Sequence, residues 1–113
     1  GYDRRSKINQ AKIQMDLIKL KKMDVEHQIE FQTNQAYQEW IAAQEELKVT
    51  HAGLNSAQAY FKIIDSRYRN QNALQIEHLK AQNDVMTAQI QHIITQFNVR
   101  IKKASLSRVT AEL

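Results

Sequence analysis

The sequence predicts an all-α fold, a long antiparallel α-helical hairpin of coiled-coil type with one very long helix and one shorter one. Three observations carry this. The chain has 113 residues with no Pro and only two Gly, so the residues that normally build turns are nearly absent. Gln, Lys, Ala, Ile and Leu dominate, and apolar residues recur at alternating steps of three and four, the heptad signature. Only one stretch, Tyr68-Arg69-Asn70-Gln71-Asn72-Ala73-Leu74, has the short polar side chains of a reversal.

The first helix is expected over about residues 4–69. Its apolar seam runs Ala11, Met15, Ile18, Lys22, Val25, Ile29, Gln32, Ala36, Trp40, Ala43, Leu47, Thr50, Leu54, Ala57, Phe61, Ile64, Tyr68. One extra step of four at Ala36–Trp40 marks a stutter, with Trp40 as a large filler there. A second, offset stripe appears in pieces: Ile13, Leu17, Leu20; Tyr37, Ile41; Ala52, Ser56, Ala59, Ile63. Two stripes ask for two neighbours, whereas a two-stranded coiled coil needs one. Gly53 lowers helix propensity by about 1 kcal/mol without having to break the helix.

The reversal is expected at about residues 70–72. Asn70 is the residue type there that tolerates the left-handed backbone with which helices end. Asn72 suits an N-cap, with Gln75 three residues on completing a capping-box-like pair. The second helix is expected over about residues 73–110, again with two stripes. One is Ile76, Leu79, Asn83, Met86, Ile90, Ile93, Phe97, Ile101, Ala104; the other is Val85, Ala88, His92, Thr95, Val99, Lys102, Leu106, Val109, Leu113. The first of these also stutters, at Ile93–Phe97–Ile101, near the height of the other helix's stutter, as though the two irregularities were packed side by side.

Charge supports the pairing. Residues 1–22 carry seven basic and two acidic side chains, net +5, while residues 24–47 carry six acidic and no basic ones, net −6. Arg100, Lys102, Lys103 and Arg108 are basic again. If the chain folds back at Gln71, residue i faces roughly residue 142 − i, which sets that last group beside the acidic block. At 1.5 Å per residue the helices span about 100 and 57 Å. Packing should therefore begin near residue 32, and roughly 30 residues of the first helix overhang. Through its exposed stripes, Ile8 to Ile29, the chain is expected to self-associate.

Several function classes find no support. There is no Cys, no Gly-rich phosphate loop and no Ser/His/Asp set that a two-helix rod could bring together, so no enzyme, no cofactor and no catalytic residue is expected. His27, His51, His78 and His92 are scattered; only His51 and His92 approach each other across the seam, and two imidazoles are not a zinc site without further ligands. Arg5, Lys12 and Lys19 lie seven apart, but the apolar residues between them argue against a groove-reading helix, so no nucleic-acid partner is expected. No apolar run reaches the about 18 residues of a membrane-spanning helix. The absence of Cys leaves the redox compartment open.

The stretches Ala57-Gln58-Ala59-Tyr60, Ser66-Arg67-Tyr68-Arg69-Asn70-Gln71, Ile76-Glu77-His78-Leu79-Lys80-Ala81-Gln82-Asn83, Ala88-Gln89, Phe97-Asn98-Val99 and Leu106-Ser107-Arg108-Val109-Thr110-Ala111-Glu112-Leu113 together resemble the TolC-type outer-membrane efflux family. That family carries a tip of the form R-Y-x-x-G, then L-D-A-Q, a spaced Ala, a Y-N pair and a closing L-x-x-A-x-G. Gly1 to Lys12 is similar to the segment that follows the family's last membrane strand. Gln71 stands where the family has its tip Gly, Lys80 where it has Asp, and Ala111 where it has the closing Gly; a tip Arg of some members is Ala73 here.

The resemblance implies a trimeric duct in the cell outer membrane, with this hairpin as a segment of its periplasmic α-barrel. The membrane β-barrel and the first repeat would lie outside the present chain, which would meet the membrane only through that barrel. A drug-efflux or type I secretion role follows, with a periplasmic adaptor and an inner-membrane pump as partners. The adaptor would dock at an entrance formed by Arg67, Tyr68, Arg69, Asn70, Gln71, Asn72, Ala73 and Leu74. The alternative is a free-standing coiled-coil interaction module with no transport role.

Overall fold

The computed structural model describes residues 1–111 and contains two helices, α1 (Tyr2–Arg69) and α2 (Gln75–Thr110). The molecule is a rod of 104 × 19 × 13 Å. Its length is that of α1 alone, since 68 residues at 1.5 Å each make about 102 Å. No strand occurs among the described residues, and no helix among them is long and apolar enough to cross a membrane. Leu113, expected at the end of a seam, lies outside the described residues.

The helices pack antiparallel in the expected register. Glu39 meets Lys102, Thr50 meets Thr95, His51 meets His92 and Asp65 meets His78. On α1 the seam consists of Ile29, Thr33, Ala36, Trp40, Ala43, Leu47, Thr50, Leu54, Ala57, Phe61 and Ile64, with Glu39, Ile41, Gln44 and Asp65 part-shielded beside it. The seam positions alternate four and three without interruption, so the stutter expected at Ala36–Trp40 is not there. Thr33, not Gln32, occupies the seam: its hydroxyl donates to the Ile29 carbonyl at 2.8 Å, which satisfies its polar atom locally.

On α2 the seam consists of His78, Ala81, Val85, Ala88, His92, Thr95, Val99, Lys102, Leu106 and Val109, again an unbroken heptad, with Asn98 and Ser105 part-shielded beside it. The stuttering stripe from Ile76 to Ile101 faces away from α1, with Ile76, Leu79, Met86, Ile90, Ile93, Phe97 and Ile101 all half or more exposed. The matched stutters were therefore no packing signal, because the seam of α1 has no stutter and the stuttering stripe of α2 does not meet α1.

The interface is thin. Among the described residues only Ala36, Ala43, Ile64 and Ala81 are buried apolar residues, with Thr95 the one buried polar one. Alanines alternating with larger side chains let the helices approach closely but leave little apolar volume between them. Thr50 and Thr95 bridge the middle by a hydroxyl pair at 2.6 Å, in which one hydroxyl donates to the other and the accepting one donates to a carbonyl of its own helix. Residues 2–28 of α1 touch no other element and are exposed throughout, the overhang that the unequal lengths predict.

Candidate docking tip and the seam behind it

The reversal is a Schellman motif. The Asn72 amide donates to the Arg67 carbonyl at 2.7 Å and the Gln71 amide to the Tyr68 carbonyl at 3.1 Å, which satisfies two of the four orphan acceptors at the end of α1. The motif needs a left-handed residue between them, and that residue is Gln71, at φ 62°. Asn70, expected in that role, is the C-cap at φ −90°, ψ 11°. The end of the seam sets the position: α1 continues through Arg69, so the left-handed residue falls one place later than composition alone suggests.

Asn72 does not cap α2. That helix begins at Gln75, two residues later than expected, and its N-cap is Leu74 in extended backbone at φ −76°, ψ 150° with no side-chain cap. Asn72 has its amide committed to the α1 end, and Ala73 and Leu74 are needed to cross between the axes. The expected capping box with Gln75 is absent for the same reason. The Leu74 carbonyl accepts the His78 amide at 3.1 Å, closing the first turn.

The eight predicted tip residues do come together on one end of the rod. Arg67, Arg69, Asn70, Gln71 and Asn72 are exposed, Ala73 is half-buried, and Leu74 is 65% exposed. An apolar Leu74 beside the cationic Arg67 and Arg69 gives the tip both a greasy contact and hydrogen-bond donors. Tyr68 is more than a lid on the seam: its ring lies flat on that of His78, centroids 4.4 Å apart and planes 15° apart.

Behind the tip stands a cluster that sequence reasoning missed. His78 Nε2 is 2.9 Å from Asp65 Oδ1, Arg69 reaches Asp65 Oδ2 at 3.0 Å, and the Phe61 ring tilts against the imidazole at 5.5 Å. The fold-back register does pair 65 with 78, so the signal was present, but a search for apolar periodicity treats both residues as gaps. Farther down, His51 and His92 face each other at 5.3 Å, as the register predicts. The His92 Nδ1 is buried without a partner among the described residues, and no group of three or more metal-ligating side chains exists among them.

Of the basic group near the end of α2, Lys102 reaches Glu39 at 3.3 Å; Arg100, Lys103 and Arg108 make no ion pair among the described residues. The charge blocks thus meet in one close contact, whose contribution is the about 0–1 kcal/mol of a largely exposed pair. Beside it an open groove of about 580 Å³ lies over Trp40, between Tyr37, Leu106 and Thr110. The Trp40 indole nitrogen is buried there with no acceptor among the described residues. Comparison with family models, curated proteins and solved structures yields no match to this chain.

Proposed function

We propose that this hairpin is a wall segment of a trimeric outer-membrane and periplasmic duct for drug efflux or type I secretion, and that its tip docks a periplasmic adaptor. The observation that carries the reading is where the second stripes lie. At 100° per residue, the exposed ridge of α2 sits about 150° around the helix from its seam. The stripe of Ala52, Ser56, Ala59 and Ile63 stands at a similar angle to the seam of α1, as does that of Ile13, Leu17 and Leu20 in the overhang, whereas Tyr37 and Ile41 stand only about 100° from it.

The wider of these angles favour one architecture. Helices of a four-helix bundle contact their neighbours on faces about 90° apart, and a two-stranded coiled coil uses a single face. Faces approaching 180° belong to helices standing in a row, as in a wall one helix thick that closes into a wide ring. Residues 85–99 of α2 contain no Asp, Glu, Lys or Arg, so the outer ridge is built for contact along most of its length. The left-handed backbone at Gln71 is a second support, since this is the position at which the resembled family carries its tip Gly.

In this reading Leu74, Arg67, Arg69 and Gln71 form the adaptor-facing rim of the entrance, and Tyr68 holds the rim to the seam through His78. The test is a set of substitutions, Tyr68→Ala, Arg69→Glu and Gln71→Trp, in the full-length parent protein, with export, adaptor crosslinking and trimer formation measured together. Export or crosslinking should change while trimer formation does not. If all three leave both untouched, the tip assignment is wrong. A free-standing coiled-coil module is the competing reading; an amphipathic strand encoded upstream of Gly1 would count against it.

A further inference from the structure

A third face of α1, about 90° from its seam, belongs neither to the seam nor to the outer stripes of Ile13 and Ile63. On the overhang it carries Ile8, Lys12, Met15, Lys19 and Met23, and past them Glu26, Glu30, Asn34, Tyr37 and Ile41. These follow at about three turns per eleven residues, so close to the helix's own 3.6 per turn that the stripe runs nearly straight along the rod. All are exposed except Ile41, which is part-shielded. Lys12, Lys19, Glu26 and Glu30 make no ion pair among the described residues. At its far end the stripe borders the open groove over Trp40, whose α1 wall includes Glu30, Asn34 and Tyr37 and whose α2 wall includes Leu106 and one cation, Lys103.

The stripe is complementary to its own reverse. Turned end for end, residue i meets roughly residue 49 − i, which sets Ile8 against Ile41, Lys12 against Tyr37, Met15 against Asn34, Lys19 against Glu30 and Met23 against Glu26. We propose that two copies of this chain pair antiparallel through this stripe, about a two-fold axis level with Asp24 and Val25, each overhang lying along the groove over Trp40 of the other copy. A two-fold contact requires a self-complementary patch of this kind and closes at two chains. Charge selects the register: laying overhang on overhang would set the +5 of residues 1–22 against itself, whereas this offset sets it against the −6 of residues 24–47. The stem of Lys12 covers the Tyr37 ring and its ammonium meets the ring face, while Lys19 and Glu30 become partners. A face about 90° from the seam is where a third helix lies against a packed pair. The inference goes beyond the duct reading and does not rest on it.

The test is sedimentation equilibrium of the whole 113-residue chain, with crosslinking of cysteine variants by a short bismaleimide. The chain should sediment as a monomer–dimer equilibrium. Lys19→Glu and Glu30→Lys should each raise the dimer Kd about tenfold, because every dimer holds the pair twice. The two together should bring it back to within about threefold of the original. Ile8→Cys combined with Ile41→Cys should be joined into covalent dimers; the two positions lie about 50 Å apart within one chain, so the link forms only between copies. Met15→Cys alone should not be joined, since the two copies of residue 15 stand about 28 Å apart along the axis. A monomer at all concentrations, a trimer or larger species, or efficient joining of Met15→Cys overturns the proposal. So does failure of the Ile8→Cys and Ile41→Cys pair to join, or a charge swap that does not restore the dimer.

Discussion

Gln71→Gly should make the hairpin more stable, against the ordinary expectation for glycine next to a helix. At φ 62° Gln71 holds a backbone conformation in which its Cβ crowds the following carbonyl, which costs about 1–2 kcal/mol for a residue other than glycine. Glycine removes that cost but enlarges the conformational freedom of the unfolded chain, by about 0.4–1 kcal/mol. Gln71 is exposed and its side chain makes no hydrogen bond among the described residues, so little contact is lost. The balance is a gain centred near about 0.8 kcal/mol, or about 3–6 °C in Tm for a chain of this size. Gln71→Val provides the opposite arm, since a β-branched residue at positive φ adds strain; it should lose about 1 kcal/mol. Thermal and urea unfolding followed by circular dichroism at one fixed chain concentration reads both. If Gln71→Gly is the less stable protein, by the about 1 kcal/mol that glycine costs inside a helix, the Schellman reversal has been placed wrongly.

Four further outcomes follow from the same geometry. Gly53 sits mid-helix with open space where a Cβ would go, so Gly53→Ala should add about 1 kcal/mol in the same unfolding assay. Ile64 is 3% exposed and Ile63 52%; Ile64→Ala should cost about 2–3 kcal/mol by cavity formation, and Ile63→Ala in the isolated chain under about 0.5 kcal/mol. The orphan Nδ1 of His92 means that His92→Leu should be neutral or stabilising by about 1 kcal/mol, and a loss of several would show that the nitrogen has a partner. The overhang, with Ile13, Met15, Leu17, Ile18 and Leu20 all more than half exposed, should make sedimentation of the isolated chain concentration-dependent; a clean monomer at high concentration would contradict that.

Fold class, the two helices and their register were legible because they rest on period and length. Unbroken spacing from Ala43 to Ile64 can be nothing but a long helical seam, and a fold-back at Gln71 follows from having one reversal. Apolar content pointed to both stripes on α2, and the stuttering one was not recognised as the outward one; the unbroken heptad faces α1, where the small Ala81 and Ala88 and the Thr50–Thr95 hydroxyl pair fit against it, and only geometry displays that fit. The reversal was misplaced by one residue because Asn70 has the better left-handed propensity. Propensity is a preference of about 1 kcal/mol, however, and the hydrogen-bonding of the α1 end outweighs it. The Asp65–His78 pair escaped notice for a related reason: polar residues inside a seam look like interruptions until their partner across it is known.

The central claim is that both helices are covered on opposite faces in the assembled protein, and cysteine reactivity tests it most directly. Single substitutions Ile63→Cys on α1 and Ile90→Cys on α2 place thiols on the two outer stripes, which are 52% exposed in the isolated hairpin. Each is labelled with a water-soluble maleimide in the isolated chain and in the full-length parent protein in cells, with Lys62→Cys on a polar face as the reference. The account predicts that both thiols react as fast as the reference in the isolated chain and are both strongly protected in the full-length protein. If either outer stripe reacts there as fast as the reference, these helices do not stand in a continuous wall.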